Sequence, residues 1–147
     1  MKKISMTLIM MLVVLTSCSK EEIITYEYTF RGEGEYWKAT FITAGTQIWG
    51  DEKGQLTYDH EDNEEFMLEY IGETNEISQI KTLEYSYKTS SGGHNSRRTF
   101  TEPPTEKIFT SSSSSKGGAK VQENEIIQVN VKWDQFEEEF ELINENN

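Results

Sequence analysis

The chain has 147 residues and a formal net charge of −12, with 26 acidic residues against 14 basic ones. This length suits one domain and is too short for two ordinary domains. The acidic balance argues against binding to nucleic acid and against direct adhesion to anionic lipid, because both carry negative charge. It allows cationic partners.

The first residues have the composition of a secretion signal. Lys2 and Lys3 precede an apolar run at residues 4–15, which is too short to cross a bilayer as a helix of about 20 residues. A positive start followed by such a run is typical of a secretory signal peptide. The alternative is a buried N-terminal helix, but no later segment has the pattern of a partner helix. The sequence predicts a signal peptide over residues 1–17, whose removal takes the formal charge from −12 to −14.

The single cysteine makes this prediction more specific. Cys18 follows Leu15, Thr16 and Ser17, and this order resembles the lipobox of bacterial lipoproteins. The resemblance implies cleavage before Cys18 and attachment of a diacylglycerol to its sulfur. Acylation would explain an odd cysteine in an exported chain, and acyl chains acting together anchor a protein firmly where one alone is marginal. A reactive free thiol and a buried core cysteine are the alternatives.

Residues 18–24 are predicted to form a lipidated tether. Lys20, Glu21 and Glu22 just after the cysteine are similar to the surface-export signal of some Bacteroidota lipoproteins. Together the two resemblances imply a membrane-anchored protein of the cell envelope with its domain outside the cytoplasm. Display at the cell surface is one form of that arrangement.

From residue 25 onward the sequence has the pattern of an all-β domain. It is rich in aromatic and β-branched residues, and the whole chain has only two prolines. Alternation of apolar and polar residues predicts strands at 25–31, 36–43, 65–71 and 80–88, with a short candidate at 56–58. Trp37, Tyr85, Trp133 and Phe140 lie at strand period and are predicted to be core residues, whereas Trp49 is the tryptophan least clearly placed by its pattern.

The last two strands are predicted to form a hairpin around Asp134 and Gln135. One face is then apolar except for Glu138. The agreement of both faces on one register is what a real hairpin requires. Asp-Gln is not a preferred turn pair, so a turn one residue longer stays open. The predicted pairs are Trp133 with Phe136, Val131 with Glu138, Val129 with Phe140, Ile127 with Leu142, Lys132 with Glu137, and Gln128 with Glu141.

Two polar stretches separate these strands. Residues 89–104 and 111–118 are rich in glycine and serine, and we expect loops at both. Seven to nine short strands in about 120 residues predict a small antiparallel β-sandwich over residues 25–147, with an immunoglobulin-like arrangement as one form. The missing Cys-Trp-Cys pattern excludes an antibody-type domain, and a small barrel is the alternative.

Both ends of the predicted domain carry a second resemblance. The segment YTFRGEGEYWKATF and the segment GAKVQENEIIQVNVKWDQFEEEFEL resemble small lipoproteins of Bacillus and related Gram-positive bacteria. Those proteins have an early Gly-Glu-Ser plus Trp motif and a late Trp-turn-Glu-Phe hairpin. This chain has Gly34, Glu35, Tyr36 and Trp37, with tyrosine in place of serine. The family has no assigned activity, so the resemblance bears on fold and location.

The acidic run at residues 59–65 is the first candidate for metal chemistry. Its oxygen ligands could hold calcium, but Glu64 and Tyr70 stand where an EF-hand loop starting at Asp59 needs glycine and a bidentate glutamate. His60 has no second nitrogen or sulfur ligand nearby for zinc. We therefore expect a solvated acidic loop before a strand, and no metal or cofactor.

The second candidate is the segment with His94, Arg97 and Arg98. No Gly-x-Ser-x-Gly nucleophile elbow accompanies the histidine, so no catalytic residue is assigned. Loops on rigid β scaffolds often carry binding, and arginine suits carboxylate or phosphate partners. The alternative is an exposed tip whose arginines aid solubility. We expect a non-enzymatic binding or structural module that contacts an envelope protein, with an inhibitor that blocks a cleft through this loop as the alternative and a hydrolase as a weaker one.

Overall fold

The computed structural model describes residues 21–146. It confirms the all-β class, and within these residues no helix has the length and hydrophobicity needed to cross a membrane. The predicted signal peptide and Cys18 lie outside the described residues. The elements are β1 (Glu22–Glu33), β2 (Trp37–Glu52), β3 (Gln55–Tyr70), α1 (Thr74–Ile77), β4 (Thr82–Lys88), β5 (Gly93–Thr99), β6 (Ile108–Lys116), β7 (Ile127–Trp133) and β8 (Phe136–Asn144).

Hydrogen bonds join the eight strands into one antiparallel sheet in the order β5-β4-β7-β8-β1-β2-β3-β6. The link between β8 and β1 is short, with Phe30 opposite Asn144 and Arg31 opposite Ile143. By contrast, β2 and β3 pair along their whole length, from Trp37 opposite Tyr70 to Glu52 opposite Gln55. The sheet therefore has two well-paired parts joined by a narrow seam. The sandwich and immunoglobulin-like details stay predictions.

The core lies between these two parts of the curled sheet. The ring of Phe66 on β3 lies 4.5 Å from that of Tyr87 and 5.6 Å from that of Tyr85 on β4. The rings of Trp37 on β2 and Trp133 on β7 lie 5.8 Å apart. These aromatic contacts bury apolar surface from both parts of the sheet. The four predicted core aromatics, Trp37, Tyr85, Trp133 and Phe140, are all buried.

The predicted C-terminal hairpin is confirmed. All six predicted residue pairs are present, and the turn contains only Asp134 and Gln135. Asp134 has a φ of 50°, the left-handed conformation that a tight hairpin turn requires and that aspartate tolerates better than most residues. Its Oδ1 also accepts hydrogen bonds from the backbone N–H groups of Lys81 and Thr82 at 3.0 Å. These hydrogen bonds tie the hairpin turn to the start of β4.

The predicted loop at residues 59–65 is wrong, because β3 runs unbroken through it. His60 and Asp62 lie on the inner face of the sheet and are fully buried. Ser115 of the neighbouring β6 donates a hydrogen bond to Oδ1 of Asp62 at 2.6 Å. Because these inward-facing residues are polar, the segment lacks the alternation of apolar and polar residues that predicts a strand. The predicted tether is also too long, since β1 begins at Glu22.

The loops predicted at residues 89–104 and 111–118 are largely wrong as well. They contain β5 and most of β6, the two edge strands of the sheet. Edge strands have a free side in water and accept polar and charged residues readily. Ser113 donates a hydrogen bond to Oε2 of Glu64 at 3.2 Å, so the serine run pairs with carboxylates of β3. The serine run can therefore form a strand despite its low complexity.

Three tyrosines have raised pKa values that bear on stability at alkaline pH. Burial is the largest cause that raises the pKa of Tyr26, Tyr70 and Tyr87 from 10.0 to about 12, and nearby carboxylates add to it. Each such group stabilises the fold fully below pH 10, its value in the unfolded chain, and this contribution is lost as the pH rises through about 12. We expect the free energy of unfolding in urea to fall between pH 10 and about 12. An absorbance titration of the folded protein in which all seven tyrosines ionise together near pH 10 would contradict this.

Candidate binding groove

An open groove of about 1080 Å³ lies at one end of the sheet. It forms where the β1–β2 turn, the β7–β8 turn, the segment around α1 and the segment after β5 meet. Its volume is at the upper end of the range for small-molecule sites. Five aromatic side chains and four charged ones line it: Tyr36, Tyr70, Phe100, Trp133, Phe136, Glu76, Lys81, Glu102 and Asp134.

The aromatic wall of the groove has a fixed centre and exposed flanks. The ring of Trp133 packs 5.8 Å from Trp37 of the core, which holds it in place. The rings of Tyr36 and Phe136 both pack against Trp133, each with its centroid 5.7 Å away. Phe136 is 55% exposed and Tyr36 is 39% exposed. Two aromatic faces on a rigid support are thus open to a ligand.

One carboxylate holds this wall together. The side chain of Glu138 on β8 enters the β1–β2 turn and accepts hydrogen bonds from the backbone N–H groups of Glu35, of Tyr36 at 3.2 Å and of Trp37 at 3.1 Å. A Cβ at position 34 would lie within 2.8 Å of this carboxylate, so any larger residue there would push the Glu138 side chain out of its place in the turn. Among the residues of β8 that pair with β7, Glu138 is the one polar residue on the apolar face, and its hydrogen bonds to the turn account for it.

The groove brings together segments from opposite parts of the described chain. Residues 34–36 form the β1–β2 turn, which leads into Trp37 at the start of β2, and the C-terminal hairpin supplies Trp133, Phe136 and Glu138. The structure places residues about a hundred positions apart within hydrogen-bonding distance. The turn and the hairpin are therefore parts of one structural unit.

The charge of the groove is negative. The Oε2 atom of Glu76 accepts a hydrogen bond from the Tyr70 hydroxyl at 3.0 Å, which, after burial, is a cause of the raised pKa of Tyr70. Glu102 and Asp134 add two further carboxylates, and Lys81 is the one cation among the lining residues. The adjacent Glu35 is the first cause that raises the pKa of the Tyr36 hydroxyl. A cation would enter a favourable field here.

The site residues predicted from the sequence lie elsewhere. His94, Arg97 and Arg98 belong to the edge strand β5, so the predicted loop is wrong at these positions. Nε of Arg97 lies 3.9 Å from Oε2 of Glu84 on β4. The Arg98 guanidinium lies 5.4 Å from the ring of Phe109 on β6, and the His94 ring stacks on Tyr87. None of the three lines the groove.

The buried pair His60 and Asp62 is not a complete metal site. Nε2 of His60 lies 3.4 Å from Oδ2 of Asp62, and both ring nitrogens of His60 lack a hydrogen-bond partner among residues 21–146. In this part of the chain no group of three or more His, Cys, Asp or Glu side chains could hold a metal ion. Zinc sites use at least three protein ligands.

No local sequence pattern predicts the groove, because its residues come from four separate segments. The available signal was Glu138, a carboxylate out of pattern on an apolar face. Comparison with known proteins adds no further guide: no family model, curated protein or solved structure matches the chain.

Replacement of Glu138 tests how the groove is held. In Glu138→Gln an NH₂ group takes the place of one acceptor oxygen and faces the N–H donors of the β1–β2 turn. We expect a loss of about 1–3 kcal/mol in the free energy of unfolding, measured in urea. Glu139→Gln, one residue along β8 on the exposed face, is the matched control and should change stability by less than about 0.5 kcal/mol. Equal effects of the two changes would show that the turn does not depend on Glu138.

Proposed function

We propose that the protein is a lipid-anchored protein of the cell envelope that acts by non-covalent binding, with the groove as its binding site. The observation that carries the binding role is the pair of exposed rings, Tyr36 and Phe136, packed against a fixed tryptophan. Exposed aromatic residues on rigid elements supply contact area at low entropic cost. The lipobox resemblance at Leu15–Cys18 supports the anchor.

The charge of the groove selects the chemistry of the ligand. Three carboxylates against one lysine favour a cationic group, and the aromatic faces favour a cation with an apolar stem. A lysine or arginine side chain combines both properties. The ligand is therefore a basic segment of a partner protein in the envelope.

The inhibitor hypothesis is less well supported. A loop that blocks a cleft has to project from the domain, whereas β5 pairs with β4 from Thr82 opposite Thr99 to Lys88 opposite Gly93. Arg97 and Arg98 lie within this paired strand. Charged residues on an edge strand also prevent pairing with other chains, which is sufficient reason for the two arginines.

A pair of short peptides tests the groove. One alternates lysine with tyrosine, and the other has glutamate in place of lysine. We expect the lysine peptide to shift the indole N–H resonance of Trp133 and the glutamate peptide to leave it unchanged. Phe136→Ala should weaken binding about two- to fivefold, because it removes one exposed face for a cation–π contact.

The control for this titration is Ile143→Ala. Ile143 is an exposed apolar residue on the same strand that does not line the groove, so its removal should leave binding unchanged. Shifts that appear around Arg97 and Arg98 with the glutamate peptide, and none at Trp133, would instead assign binding to the edge strand and refute the groove.

The anchor has its own test, carried out on the full chain in a bacterial host. We expect the chain in the membrane fraction, with a mass increase on its N-terminal peptide that corresponds to acylation of Cys18. Cys18→Ala removes the only thiol and should abolish the mass increase. Ser17→Ala keeps a small residue before the cysteine and is the matched control. An unmodified cysteine in the wild-type chain would refute the anchor.

A further inference from the structure

A second apolar surface lies at the opposite end of β1 from the groove. The apolar patch consists of Ile24, Trp49, Leu56 and Tyr58, which share one face of the outer parts of β1, β2 and β3. Trp49 lies opposite Tyr58 in the register of β2 and β3, and their rings are 4.5 Å apart. Leu56 is 71% exposed, Tyr58 44% and Ile24 42%. A contiguous group of exposed apolar side chains marks a surface that contacts a protein, a membrane or a ligand.

The distance along the chain from Cys18 places this patch close to the lipid. Cys18 is four residues before Glu22, so it lies within about 14 Å of the start of β1 in any conformation. Glu22 is directly opposite Trp49 in the register of β1 and β2. The hairpin between β2 and β3 extends about four residues beyond Trp49, or roughly 13 Å. Its tip at Lys53 can therefore reach the level of Cys18.

We propose that the apolar patch lies in the interfacial layer of the membrane that holds the acyl chains of Cys18. The inference rests on the proposed lipid anchor and adds a second point of membrane contact to it. Tryptophan and tyrosine are enriched at the membrane–water interface, because their rings are apolar and their N–H and O–H groups stay hydrated. The patch offers one of each, together with two exposed aliphatic side chains.

The charges around the patch restrict the kind of membrane. Glu22, Asp51, Glu52 and Asp59 lie at this end of the sheet, against Lys53 at the tip of the hairpin and Lys116, whose Nζ is 3.7 Å from Oδ2 of Asp59. An anionic lipid surface would repel this group of carboxylates. The patch therefore suits a surface of zwitterionic lipids, in which an ammonium group can face the carboxylates.

Two points of contact would also orient the domain. β1 has 12 residues and is about 40 Å long. The patch lies at its beginning, and the β1–β2 turn that forms part of the groove lies at its end. With the patch in the membrane, the groove faces away from the lipid and is open to a partner.

Fluorescence quenching of Trp49 tests the inference on the acylated full chain. The chain is reconstituted in vesicles of phosphatidylethanolamine and phosphatidylcholine that carry a nitroxide either near the headgroup or deep in the acyl chain. Trp49→Phe is measured in parallel, so that the difference between the two proteins is the signal of Trp49. We expect the headgroup label to quench this signal at least threefold more than the deep label, and we expect quenching to fall when half of the lipid is phosphatidylglycerol.

A pair of variants separates membrane contact from tethering. Leu56→Glu adds a charge to the patch and should reduce quenching of Trp49 at least twofold. Ile143→Glu adds the same charge to an exposed position opposite Arg31, away from the patch, and should not. Circular dichroism confirms that both variants are folded.

The outcomes distinguish this inference from the anchor itself. An acylated chain that floats with the vesicles while Trp49 stays unquenched refutes the patch and leaves the anchor intact. A chain whose Cys18 carries no acyl group refutes the anchor and the patch with it. Trp49 shielded from aqueous iodide without vesicles, in a chain that sediments as a dimer, assigns the patch to contact between two copies and refutes the inference.

Discussion

Aromatic packing across the curl of one sheet is the interaction on which the structure depends. Backbone pairing joins β1 to β8 through two residue pairs and a hydrogen bond from the Glu145 N–H to the Thr29 carbonyl at 2.9 Å, so the seam between the two parts of the sheet is short. The contacts of Phe66 with Tyr85 and Tyr87, and of Trp37 with Trp133, bury apolar surface between the two parts of the sheet and hold them together. Because the groove is formed by segments of both parts, any loss of this packing would remove the groove together with the fold.

The β1–β2 turn and the C-terminal hairpin meet at Glu138, and this contact fixes the geometry of the groove. A carboxylate that accepts three backbone N–H groups fixes the β1–β2 turn more firmly than apolar contact could, because hydrogen bonds to a charged acceptor are both strong and directional. The β1–β2 turn then sets the position of Tyr36 beside Trp133. A core aromatic cluster is thereby extended to the surface, where its flanking rings are open to solvent.

Strand pairing was predictable from the sequence where the residues on both faces of a strand require the same register. The C-terminal hairpin was predictable to the residue, because its apolar face and its charged face demand the same register. The middle of β3 was not, since the inward positions there are occupied by His60 and Asp62, whose burial depends on partners such as Ser115 of a distant strand. β5 is polar because it is an edge strand. The groove depends on contacts between segments a hundred residues apart, and no local pattern encodes those contacts.

The outer parts of β2 and β3 raise a question that the proposed membrane orientation answers. They do not enclose an apolar core, and they bury a histidine whose ring nitrogens lack hydrogen-bond partners among the described residues, an arrangement that costs stability. A shorter hairpin would avoid that cost. A domain that has to hold its groove away from a lipid surface needs rigid length, and strands paired from end to end supply it. In the proposed orientation, the polar interior of β3 follows from extending the sheet beyond its core, and the apolar patch at the far end would be the part of that extension that contacts the membrane.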